Sequence, residues 1–102
     1  MPMLHTVNKS PFERGVLESC IRLATKGSAV ILIEDGVYGA TKASTASAMV
    51  EEAMKDLDFY VLSSDLKARG VDESRLIDGI TVVDYSGFVK LTVDNDKVQS
   101  WL

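Results

Sequence analysis

The chain has 102 residues, 46% of them hydrophobic and 25% charged, with a formal net charge of −4 and a pI near 4.8. That length predicts one domain over residues 1–102, with no room for a second core. Lysines and arginines are scattered, so the basic face that phosphate contacts require is missing and direct nucleic-acid binding is not expected.

Met3 to Val7 is short and rich in β-formers, which predicts a first strand. Ser10-Pro11-Phe12-Glu13 is a helix start: Ser as N-cap, Pro at the first helical position and Glu at N3 to complete a capping box. The helix is expected to run to about Lys26, with Gly27 just past its end. Ser28 to Ile33 is apolar almost throughout, the pattern of a strand covered on both faces in a parallel sheet. Glu34-Asp35-Gly36 ends that strand as a turn, and Val37 to Thr41 reads as a short helical turn. A helix follows from about Ser47 to Lys55, where Met49, Val50, Ala53 and Met54 recur at helical spacing.

Phe59 to Leu62 is the third strand. Ser64 or Asp65 caps a short helix through Leu66 to Arg69, stopped by Gly70. Val71 to Gly79 is polar and reads as loop, and Ile80 to Val83 as the fourth strand. Asp84 then caps a helix carrying Tyr85, Phe88, Val89 and Thr92 on one face. The tail from Val98 to Leu102 alternates, as a short edge strand or a docking arm would. Strands and helices therefore alternate along the chain. That order predicts a small three-layer α/β sandwich around a mainly parallel sheet of four to five strands.

The first ten residues hold no apolar h-region, and the longest apolar run, Ala29 to Ile33, is far too short to cross a bilayer. A single cysteine cannot close an internal disulfide, which suits a reducing compartment, so a cytoplasmic chain without membrane contact is expected. Neither a Walker A sequence nor GxGxxG is present, and no Cys/His pair has ligand spacing; no cofactor and no metal are expected.

In open α/β sheets ligands collect outside the carboxyl ends of the strands. Asn8-Lys9-Ser10, Glu34 to Gly39, Ser63-Ser64-Asp65 and Asp84-Tyr85-Ser86 should meet there. Glu34 and Asp35 are adjacent acids, but a phospho-acceptor receiver would place such a pair after the first strand. His5, inside a strand, reads as a hydrogen-bonded core or interface residue. Lys67 and Arg69 suit a helix C-terminus, with a docking patch for an acidic partner as the functional alternative. Cys20 is the one thiol. At about 100° per residue it falls mid-arc among Phe12, Val16, Leu17, Ile21, Leu23 and Ala24, with no cation near it. Such surroundings raise a thiol pKa.

The segments Leu4-His5-Thr6-Val7-Asn8-Lys9-Ser10-Pro11, Ile33-Glu34-Asp35-Gly36-Val37-Tyr38 and Asp65-Leu66-Lys67-Ala68-Arg69-Gly70 resemble the DsrH/TusB family. Val83-Asp84-Tyr85-Ser86-Gly87-Phe88-Val89 and Trp101 extend the likeness over nearly the whole chain. The resemblance implies a DsrE-like fold and a place as the small subunit of a hetero-hexamer, DsrEFH or TusBCD. Its sister subunits would be of DsrE/TusD and DsrF/TusC type, handing persulfide sulfur to a DsrC/TusE-type acceptor. The pathway would be dissimilatory sulfur metabolism, such as sulfur oxidation, or 2-thiolation of the tRNA wobble uridine. A cysteine in this helix places the likeness nearer the DsrH branch. The principal sulfur-carrying cysteine of these complexes belongs to the DsrE/TusD subunit on a later segment, and no cysteine follows Cys20 here. Two roles stay open: Cys20 as a persulfide carrier, or the chain as a scaffold with no sulfur chemistry of its own.

Overall fold

A computed structural model describes residues 3–12, 15–42 and 44–101. Every residue of Leu4–Val7 (β1) and of Ala29–Leu32 (β2) is buried: the second run is apolar throughout, and in the first the polar His5 and Thr6 are hydrogen-bonded to Trp101 and Ser100. Asp58–Leu62 (β3), Thr81–Val83 (β4) and Val98–Trp101 (β5) complete one sheet in the order β4-β3-β2-β1-β5. All four pairings are parallel, with Leu4 opposite Ala29 and Val98, and Ala29 opposite Asp58. The expected sandwich is therefore present, with five strands and no antiparallel pair between them.

The helices are Val16–Leu23 (α1), Ser47–Ala53 (α2), Ser63–Ala68 (α3) and Tyr85–Asp94 (α4), with 3₁₀ segments at Glu34–Ala40 and Glu73–Arg75. The first three crossovers each step one strand in the same direction. Right-handed connections then put α1, α2 and α3 on one face of the sheet. The last crossover runs back from β4 past β1, which puts α4 on the opposite face. The cores follow this division. Val7, Val30, Leu32, Phe59 and Val61 pack with Leu17, Cys20, Val50 and Leu66. Leu4, Ala29 and Ile31 pack with Tyr60, Val83, Phe88 and Leu91. Each large side chain so buried contributes about 1.5–3 kcal/mol relative to exposure.

Several local expectations change. The first helix starts at Val16, later than Pro11; Ser10 Oγ accepts the Phe12 N–H at 3.2 Å within a turn instead. Glu13, the other half of the expected capping box, lies outside the described residues. The helix also ends at Leu23, before Lys26, because Ala24 is already extended with ψ 135°. Thr25 and Ser28 then share a hydrogen bond, and Gly27, at φ 90°, gives its N–H to the Asp56 carbonyl. Phe12 and Leu23, placed on the apolar arc by the wheel, are 58% and 64% exposed, since both stand at or beyond the helix ends.

The stretch from Val71 to Gly79 is more than a polar loop. Asp72 caps its 3₁₀ turn through the Ser74 N–H, and Leu76 makes an antiparallel bridge to Thr41. That clasp buries Val71, Leu76 and Ile77 against the core. Asp84 caps α4 as expected, accepting the Gly87 N–H at 2.8 Å. β5 settles the tail, over the residues described, as an edge strand.

Candidate functional site

Three of the four strand-end segments are knitted together, or held close, at the carboxyl edge of the sheet. Gly36 lies against the Val7 carbonyl so closely that a Cβ there would collide with it, so the 3₁₀ segment crosses directly over the end of β1. Glu34 sits at φ 49°, a left-handed conformation that costs a non-glycine residue on the order of 1 kcal/mol. Its N–H is held by Asp65 Oδ2 at 2.8 Å. Asp65 is thereby drawn away from capping α3, which begins at Ser63 with no side-chain cap.

Arg69 completes this cluster. Its Nε donates to Asp35 Oδ1 at 2.9 Å, and its Nη1 lies 3.7 Å from Asp65 Oδ1. Arg69 stands at the C-terminal end of α3 as expected, but it is not a free docking cation: its side chain ties α3 to the 3₁₀ segment. Asp35 likewise is an ion-pair partner inside a 3₁₀ helix and not merely a turn residue. Nothing in the sequence pairs residues 35 and 69 in advance, because their contact is made by the sheet that lies between them. Among the described residues, no three His, Cys, Asp or Glu side chains come together in a way that could hold a metal ion.

Cys20 lies a turn into α1 with its side chain turned to the sheet, 0% exposed, among Val7, Leu17, Val30 and Leu32. Burial pushes its thiol up to about 12. On the order of one molecule in 10⁵ would then carry a thiolate at pH 7. Glu18 and Arg22, the charges described on the same helix, are exposed. His5 is also buried, and Trp101 Nε1 donates to its Nδ1 at 3.0 Å. Burial lowers the pKa of this ring. Of the two expected roles, core or interface, His5 takes the hydrogen-bonded core one; its tryptophan partner, 96 residues away, is not legible in the sequence.

Large apolar groups stand exposed elsewhere. Tyr85, Val89 and Val93 recur at four-residue spacing along α4, and Val93 is 75% exposed. They form one stripe away from the sheet, which α4 meets through Phe88 and Leu91. Among the described residues, no helix is long and apolar enough to cross a membrane.

Residues 9–98 match the family model described as DsrH like protein. The chain is 39% identical to Protein TusB of Erwinia tasmaniensis over 100 residues, covering 97% of this chain and 100% of that one. It is 32% identical to Protein TusB of Escherichia coli over 99 residues, with the same coverage. Among solved structures, the ychN protein of E. coli superposes with a TM-score of 0.79 at 18% identity, covering 98% of this chain and 99% of that one. A Methanobacterium thermoautotrophicum protein of unknown function, MTH1491, gives 0.75 at 22% identity, with 95% of each chain covered. These two likenesses speak for the fold alone. The family-model match and the near full-length relatives place the chain in the DsrH/TusB family.

Proposed function

We propose that the chain is a subunit of a cytoplasmic sulfur-relay complex of the DsrEFH/TusBCD type, acting in it as a scaffold. In this role it covers DsrE/TusD- and DsrF/TusC-type sisters and shapes the surface where a DsrC/TusE-type acceptor docks. Family membership supports the sulfur-relay part, and the TusB names of the near full-length relatives favour the tRNA-thiolation arm. The observation that carries the scaffold role is the placement of the chain's one thiol: Cys20 is fully buried and held neutral. Sulfur transfer begins with a thiolate attacking the outer sulfur of a donor persulfide, while the donor sulfur leaves as a thiolate. Cys20 in this position presents neither the charge nor the access. The exposed stripe of Tyr85, Val89 and Val93 fits a subunit that meets partners.

The carrier reading of Cys20 rests on the family likeness and on its being the chain's one thiol, and requires α1 to lift from the sheet. Co-expression with the sister subunits, native mass measurement and sulfur transfer to the acceptor separate the two. The scaffold reading expects a Cys20→Ala complex to assemble and transfer sulfur at the wild-type rate. A rate at least tenfold lower, with one sulfur atom added to this chain in the wild type, favours the carrier. A chain that stays monomeric beside its sisters contradicts both.

A further inference from the structure

We propose that His5 is a proton-controlled latch on the C-terminal strand: neutral, it holds Trp101 against the sheet, and protonated at Nδ1 it lets β5 leave β1. The inference does not depend on the sulfur-relay reading.

The hydrogen bond itself sets the condition. An indole N–H only donates, so its 3.0 Å bond to His5 Nδ1 exists only while that nitrogen keeps its lone pair. The neutral ring then carries its proton on Nε2, and this second N–H is buried with no partner among the described residues. A protonated ring would turn a donor towards the indole donor and would leave another donor unpaired in the core. His5 is 4% exposed, so water cannot relieve it where it stands. Across the sheet its neighbours are Val30 of β2 and Gln99 of β5, and α1 lays Leu17 and Cys20 on the same face. Among these groups Cys20 is the one that titrates, and it is neutral near pH 7. Burial is the influence that already lowers the ring's pKa.

β5 is poised to respond. It is a four-residue edge strand, exposed at Val98, Gln99 and Ser100. Besides its backbone ladder with β1, the Thr6–Ser100 hydroxyl bond at 3.3 Å and the Leu4 N–H to the Lys97 carbonyl at 3.0 Å hold it. Trp101 is its one partly buried residue. A short edge strand depends on such an anchor.

The chain has one tryptophan and one histidine, so a fluorescence titration from pH 8 to pH 4.5 reads both halves of the latch. The expected result is a red shift of Trp101 emission below pH 6.5, with a one-proton slope of at most tenfold per pH unit and an unchanged far-UV dichroism. In His5→Gln the amide oxygen accepts the indole N–H at every pH in this range, so the shift should vanish. The same titration in His5→Gln, no shift at all, or simultaneous loss of dichroism overturns the latch. If that variant does not fold, nitrogen NMR of the wild type decides. The Nε2–H tautomer at pH 7.5, with loss of indole N–H protection as the ring protonates, supports the latch. The Nδ1–H tautomer, or an indole N–H that stays protected through ring protonation, overturns it.

Discussion

A cysteine on the inner face of α1 behaves as a small apolar side chain until something exposes it. Cys20 fills space between Leu17 and the sheet residues Val7 and Val30, and the thiol that results is both shielded and uncharged. Native protein at pH 8 should therefore react with a thiol-specific disulfide reagent at least 100-fold more slowly than the same chain in denaturant. A native rate within tenfold of the denatured one would show the site open. Gly36 makes the opposite point, since there the missing side chain is the requirement. Gly36→Ala drives a Cβ into the Val7 carbonyl, and that backbone cannot move without disturbing β1. It should lose about 2 kcal/mol or more in a urea titration. Gly15→Ala, with open space around it, should change stability by about 0.5 kcal/mol or less.

Among the elements, strands were the most legible. The apolar run ending at Ile33 became a parallel strand because continuous burial leaves few alternatives, and the tail became one at the exposed sheet edge, paired along one side with β1. The α4 start was equally legible, since Asp84 followed by a helical run is a local signal that needs no tertiary contact. Asp84→Ala should accordingly cost about 1 kcal/mol in a urea titration, by loss of the bond to the Gly87 N–H. α1 was less legible. Ser10 and Pro11 carry start signals, yet the turn over β1 uses Ser10 for Phe12 and delays the helix to Val16. The segment after Gly70 is hard to read for a related reason: Leu76 and Ile77 are too few to mark a periodic element, and their burial depends on Thr41, far off in sequence. The Arg69–Asp35–Asp65 cluster and the Trp101–His5 bond were likewise hidden, as each joins residues brought together only by the sheet.

For the molecule as a whole, two buried titratable groups set opposite limits on stability. His5 has a folded pKa below its ordinary 6.5, so below that pH the unfolded chain binds more protons and stability falls as pH drops. Cys20 is raised from 9.0 to about 12, so above pH 9 the unfolded chain loses a proton that the folded one keeps, and stability falls as pH rises. Each group contributes a slope of at most about 1.4 kcal/mol per pH unit. Urea titrations from pH 8 to pH 11 should show the alkaline decline, reduced in Cys20→Ala by that one-proton slope.

The proposed scaffold role turns on the same buried thiol: the chain would support a sulfur relay without carrying sulfur itself. Its most direct test is the rate of sulfur transfer through the assembled complex, wild type against Cys20→Ala, with the mass of this chain recorded after exposure to a sulfur donor. Equal rates and an unchanged mass are expected. A transfer that collapses in Cys20→Ala, together with one added sulfur atom on the wild-type chain, would contradict that role.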